Sequence, residues 1–235
     1  MRPTVPKRPT VQCAALRAAT EVPTVQPLVP PPEHHLHPLR KDTPTVNDSA
    51  PLIRIVVGSM RPVRVGDQIA AAVSEVIADA TGARVEIVDL ADLRLPMLDE
   101  PAMPALGNYQ NAHTKAWAEI VSEADGIVFV TPQYNGGYPA SLKNAIDYLF
   151  AEWRDKPALI VSYGGHGGGM SGAQLRSVLE FIGVDLVADN VEITLPRESY
   201  GADGRLVDAP EIVQSYADKL ETAAKALDRT LAPQA

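Results

Sequence analysis

Three short stretches of this chain carry residue types suited to a small molecule that is anionic at one end and flat at the other. The first is Gly58-Ser59-Met60-Arg61-Pro62-Val63-Arg64-Val65-Gly66. Gly58 and Ser59 allow a turn that aims backbone N–H groups at an anion, and a helix starting behind the loop adds the positive end of its dipole. Arg61 and Arg64 can each clamp phosphate oxygens, and Ser59 can donate one more hydrogen bond. G-K-[ST] is missing, so this is not a Walker A loop, and G-x-G-x-x-G is missing, so it is not a dinucleotide fingerprint. A single phosphate monoester suits the set best. On this loop alone, two arginines solvated at a surface is an equally good reading.

The second stretch is Pro132, Gln133, Tyr134, Asn135, Gly136 and Gly137, and the third runs Ser162, Tyr163, Gly164, Gly165, His166, Gly167, Gly168, Gly169. Tyr134 and Asn135, with the backbone amides near Gly136, offer a flat surface and donors. Gly164 and Gly165 let bare backbone lie against a planar ring where a side chain would collide. A flexible linker is the plain alternative for the glycine cluster, but the cluster sits between a buried strand and a strong helix. A phosphate at one end and a flat heteroaromatic ring with polar edges at the other describe flavin mononucleotide (FMN). His166 could donate a proton to a reduced product; packing at the ring edge is the preferred reading, since solvent can protonate there.

The elements that must hold these stretches follow from periodicity. Leu52 to Val57, Val85 to Asp89, Ile127 to Val130 and Ala158 to Val161 are short apolar or alternating runs, read as strands, with a fifth at Val191, Ile193 and Leu195. Helical spacing marks Ile69 to Ala80, Trp117 to Ala124, Leu142 to Leu149 after Pro139, Leu175 to Ile182, and one last helix from Val213 to Leu227. Strands alternating with helices imply an α/β fold with a parallel sheet covered on both faces. For five strands the order 2-1-3-4-5 is expected, and its switch point puts the loops after Val57 and Val130 in one crevice, beside the loop after Val161. Residues 91–110 form a long connection, read as functional or as an interface. Lys143, Asn144 and Asp147 are read as structural.

Bulk properties narrow the function. The chain has 235 residues, 21 Lys/Arg and 29 Asp/Glu, for a net charge of −8. Residues 1–50 hold six Lys/Arg against four Asp/Glu and ten of the 21 prolines, which leaves −10 for residues 51–235. An acidic domain argues against nucleic acid as a partner. Residues 1–50 are expected to be a disordered Pro-rich extension, and 51–235 one folded domain. Translation in the source organism is expected to start near Val46, which mass spectrometry of the N-terminus would check. His34, His35 and His37 lie in the extension and are read as solvated, because no fold fixes them around a metal. The lone cysteine, Cys13, excludes an internal disulfide and a thiol nucleophile in the folded part. No apolar run is long enough to span a membrane and no secretory leader is visible, so a cytoplasmic location is expected.

Taken together, G-S-x-R-x-x-R after the first strand, T-P-Q-Y-N-G-G-Y-P-A-S-L-K-N-A-I-D-Y-L, and S-Y-G-G-H-G-G-G with Gln174-Leu175-Arg176 downstream resemble the NADPH-dependent FMN reductase family over about residues 52–195. The resemblance implies a flavodoxin-like three-layer sandwich and quinone, azo-dye or chromate reductase activity. It implies that Ser59, Arg61 and Arg64 hold the FMN phosphate, that Pro132, Gln133, Tyr134, Asn135 and Gly136 form the ring-binding loop, and that Ser162, Tyr163, Gly164, Gly165 and His166 form the third wall. Many relatives carry Glu where Gln133 stands. The expected reaction passes hydride from NADPH or NADH to FMN and then to a small electron-poor acceptor, with no catalytic side chain and no metal. A homodimer or homotetramer is implied as well. Two competing readings keep FMN without NAD(P)H turnover: a flavodoxin-like electron carrier, and an interaction protein gated by its redox state.

Overall fold

The computed structural model describes residues 50–231. The expectations for the Pro-rich extension, its histidines, Cys13 and the Val46 start lie outside the described residues.

β1 (Leu52–Val57) leads to α1 (Gly66–Thr81), β2 (Arg84–Asp89) and the single turn α2 (Leu90–Leu93). Next come a 3-10 turn at Pro104–Leu106, α3 (Ala112–Glu123), β3 (Gly126–Pro132), α4 (Ala140–Asp147) and a second 3-10 turn at Ala151–Trp153. The chain ends with β4 (Pro157–Gly164), α5 (Gly169–Phe181), β5 (Asp185–Leu186), β6 (Val191–Thr194), a 3-10 turn at Arg197–Ser199, α6 (Ala209–Gln214) and α7 (Ala217–Leu231). All strand pairs are parallel, in the order β2-β1-β3-β4-β5, with β6 also on β4. This is the expected 2-1-3-4-5 flavodoxin-like order, with the fifth strand broken in two. Val187–Asn190 interrupt it, so Asp185–Leu186 pair at the start of β4 and Val191–Thr194 at its end.

Strand alternation divides the core into two layers. Ile53, Ile55, Val57, Val128, Val130, Leu159 and Val161 face Ile69, Val73 and Ile77 of α1 and Leu220, Ala224 and Leu227 of α7. Val56, Ile127, Phe129 and Ile160 face Trp117 and Val121 of α3, Leu142 and Ile146 of α4, and Leu175 and Leu179 of α5. The two tryptophans are buried, and their indole N–H groups donate to Ala145 and Ile146 carbonyls at 2.8 and 3.0 Å, tying α3 and the 151–153 turn to α4. Arg54 breaks the apolar run of β1. It is buried, and its guanidinium is satisfied by Glu86, Glu123 and the Ile120 carbonyl.

The 91–110 connection has more structure than its sequence suggests. Asn144 of α4 donates to the Pro96 carbonyl at 2.7 Å and accepts from Leu98 N–H at 2.9 Å. Asp99 accepts from Tyr148, Asn111 and His113. Lys143 pairs with Asp147 one turn further along α4. The last helix is also two: α6 ends at Gln214 and α7 begins at Ala217, with Ser215 and Tyr216 closing 3-10-type bonds between them.

Candidate functional site

The loops after β1, β3 and β4 meet at the carboxyl end of the sheet. Ser59, Arg61, Arg64, Val65, Pro132, Gln133, Tyr134, Tyr163, Gly164, Gly165 and Tyr200 line one cleft of about 260 Å³.

The first loop leaves the sheet in a fixed direction. Gly58 N–H donates to the Val130 carbonyl at 2.9 Å, and the Gly58 carbonyl accepts from Ser141 Oγ of α4 at 2.6 Å. A Cβ here would lie 3.1 Å from Leu142, so glycine serves close packing. Its N–H is already paired with β3, so Gly58 itself contributes packing rather than a free donor to the turn. Beyond it, Ser59 is fully buried, with Oγ 2.6 Å from the Tyr134 phenol across the cleft.

The two arginines differ. Arg61 is exposed and makes no ion pair among the described residues. Arg64 pairs with Asp89 at the end of β2, with both side chains mostly out of solvent. Burial opposes its charge, but the Asp89 carboxylate outweighs burial and moves the Arg64 pKa up. The Arg64 Nε is buried with no partner among the described residues.

The second loop is a miniature hairpin. Tyr134 and Gly137 exchange N–H···O bonds of 2.8 and 3.0 Å around Asn135 (φ 51°) and Gly136 (φ 86°), the paired left-handed residues of a tight hairpin turn. The start of α5 supports it: Gln133 Oε1 accepts from Ser171 N–H, and Gln174 Nε2 donates to the Gly136 carbonyl at 3.1 Å. Asn135 and Gly136 do not line the cleft; they shape the turn that carries Tyr134.

In the third loop, Gly164 and Gly165 have no positive φ, and a Cβ on Gly165 would meet nothing within 4 Å. Neither backbone conformation nor packing asks for glycine at 165, so its bareness matters only to something lying in the cleft. Gly167 and Gly168 are different: both have φ near +78°, at 79° and 77°, and form the turn into α5. Tyr163 is buried, with its phenol directly over Gly66, where a Cβ would come within 2.6 Å of it. Burial pushes the Tyr163 pKa up. Ser162 is buried and donates to the Gly167 carbonyl at 2.9 Å, so its hydroxyl holds the loop; it is not among the cleft-lining residues. His166 is exposed and stands outside the cleft lining.

Two cleft features were not expected from the sequence. Val65, at the start of α1, completes the first-loop side, and Tyr200 closes the cleft from the segment after β6. Burial raises the Tyr200 pKa and the charge of Arg61 opposes it; both residues line the cleft.

The family described as NADPH-dependent FMN reductase matches residues 51–196 of this chain. The chain belongs to that family. An NAD(P)H-dependent FMN reductase of Schizosaccharomyces pombe is 49% identical over 150 residues, covering 63% of this chain and 75% of the relative. An NADPH:quinone oxidoreductase of Arabidopsis thaliana is 33% identical over 169 residues, covering 67% of this chain and 84% of the relative. Among solved structures, FerB, a flavoenzyme NAD(P)H:(acceptor) oxidoreductase from Paracoccus denitrificans, superposes with a TM-score of 0.54 at 23% identity, over 74% of this chain and 97% of FerB, and shares the fold. The family match ends at residue 196, so Tyr200, α6 and α7 lie beyond it.

Proposed function

We propose that residues 51–235 form one FMN-binding domain that oxidises NAD(P)H and reduces a quinone or a similar electron-poor small molecule. The observation that carries this reading is the pairing, in one cleft, of an exposed unpaired arginine at one end with glycine backbone at the other, where nothing in the protein itself requires glycine at 165. FMN fits this arrangement. The orphaned Arg64 Nε and the free Arg61 guanidinium suit a phosphate, and the bare Gly164–Gly165 strip suits a planar ring. Bound FMN would supply the capacity to take a hydride from the nicotinamide and yield it to the acceptor.

The work left to the chain is binding and orientation. Ser59, Arg61 and Arg64 hold the phosphate in this reading, with the Ser59 hydroxyl hydrogen-bonded to the Tyr134 phenol. Pro132, Gln133 and Tyr134, set by the Asn135–Gly136 turn, face one side of the ring. Tyr163, Gly164 and Gly165 face its other boundary, with Ser162 holding the loop and His166 exposed at its outer side. No side chain is assigned a proton transfer. A quinone as acceptor is supported by the quinone oxidoreductase among the relatives.

A homodimer or homotetramer is part of the proposal. Met97, Met103 and Leu106 of the 91–110 connection are exposed, which supports an interface there. A cytoplasmic location is proposed as well; among the described residues no helix is long and apolar enough to cross a membrane. The deciding experiment adds NADPH anaerobically to the purified yellow protein. Prompt bleaching of the flavin followed by recovery with a quinone is expected, and a flavin that stays oxidised for many minutes would exclude the reaction.

A further inference from the structure

The loop that carries Arg61 has little of its own to hold it. Among the described residues, none of residues 60–64 makes a backbone–backbone hydrogen bond. The loop is instead gripped from a segment far along the chain. Residues 199–207 fold back as a tight hairpin: Val207 N–H donates to the Ser199 carbonyl at 2.9 Å, Gly201 N–H to the Arg205 carbonyl at 2.8 Å, and Tyr200 and Leu206 pair as an antiparallel bridge. Gly204, at φ 77°, brings the turn so close to the first loop that a Cβ there would be 3.1 Å from Val63.

From this hairpin Arg205 makes a bidentate pair with Asp67 of α1, at 2.9 and 2.8 Å, and donates to the Arg64 carbonyl. Beside it, Gln68 and Leu206 exchange two bonds of 3.0 Å. The same hairpin delivers Tyr200 to the cleft that Arg61 also lines. One element therefore grips both the end of the loop and the start of the helix, and walls the cleft between them.

We propose that the 199–207 hairpin is a clasp that shapes the phosphate end of the cleft, with Arg205 as its positioning residue and Tyr200 as a wall facing the bound anion. Arg205 acts through the Arg64 carbonyl and Asp67. It fixes where the Arg61 and Arg64 side chains start, and it neutralises the carboxylate of Asp67 in the first turn of α1, behind that end of the cleft. The fork geometry is what lets one side chain do this, so lysine cannot replace it. The inference rests on the cleft being an FMN site.

The test titrates FMN, and separately riboflavin, into apoprotein and follows flavin fluorescence, so it needs no turnover. Wild type is expected to hold FMN more tightly than riboflavin. Arg205→Ala and Arg205→Lys are expected to weaken FMN about tenfold and to leave riboflavin within about twofold. Asp67→Ala/Arg205→Ala is expected to stay weak for FMN, because positioning is lost even though the freed carboxylate is gone. Unchanged FMN affinity in the Arg205 variants overturns the clasp, as does an equal loss for both flavins or full recovery in the double variant. Should Arg205→Ala not fold, Gln68→Ala breaks only the Leu206 exchange and is expected to cost FMN about threefold while sparing riboflavin; no change there overturns the clasp equally. A wild type without preference for FMN over riboflavin fails the FMN-site reading itself.

Discussion

The two ends of the cleft are built on opposite principles. The end after β1 is made of charged and hydroxyl side chains, several already engaged: Arg64 with Asp89, Ser59 with Tyr134, Asp67 with Arg205. The end after β4 is made of what is absent, two glycines whose conformations any residue could adopt. A site of the first kind reads charge and weakens with salt and lost charge. A site of the second kind reads flatness, and any added atom disturbs it. One ligand must satisfy both, which is why each end can be tested without touching the other.

The largest effect is expected at the bare end. Gly165→Val should leave thermal stability unchanged, because space is open around the position, while FMN and riboflavin both bind about a hundredfold more weakly as the branched side chain lifts the ring. Flavin titration with a thermal melt checks this; unchanged binding removes the ring from that strip. At the charged end, Arg61→Ala should cost FMN about 2 kcal/mol, roughly thirtyfold, and leave riboflavin and the melting temperature alone, since Arg61 is exposed and unpaired. Arg64→Ala should weaken FMN about tenfold and also destabilise the fold by about 1–3 kcal/mol, because Asp89 is left largely buried without its partner. A denaturant titration separates the two arginines.

Much of this was legible before any coordinates. The apolar runs at Leu52, Ile127 and Ala158 are short, rich in β-branched residues and followed within two residues by glycine, serine or proline, so strand ends and cleft loops fall together. Arg61, Tyr134 and Gly165 could be named because they sit next to those runs. What could not be read depends on distant partners. Asp67 and Arg205 are 138 positions apart, and nothing in local periodicity links them. The Arg64–Asp89 pair arises only because β2 lies beside β1 in register, with Val57 opposite Asp89. The fifth strand appeared as one run because Val191 and Ile193 alternate strongly, whereas Asp185–Leu186 is too short to show a period. Tyr200 stands in a polar, irregular stretch, and only the folded hairpin turns it into the cleft.

Two smaller effects sharpen the contrast. Burial pushes the Asp67 pKa up, but the Arg205 hydrogen bonds and charge hold it below the ordinary carboxylate value. The contribution of that pair to stability is therefore fully present above the unfolded value of about 4 and is lost as pH falls through the lower folded value. Melting temperature measured from pH 7 downward should drop less in Asp67→Ala/Arg205→Ala than in wild type over that acid range; identical profiles would deny the pair any such role. Tyr134→Phe removes only the phenol that reaches Ser59 and should weaken FMN about fivefold with riboflavin nearly unaffected, since the ring surface remains.

The most direct test joins the two arginines. In Arg61→Ala/Arg64→Ala, FMN should bind no better than riboflavin, both flavins being left with the ring end alone. If the double variant still held FMN as tightly as wild type, the charged end would not be a phosphate site.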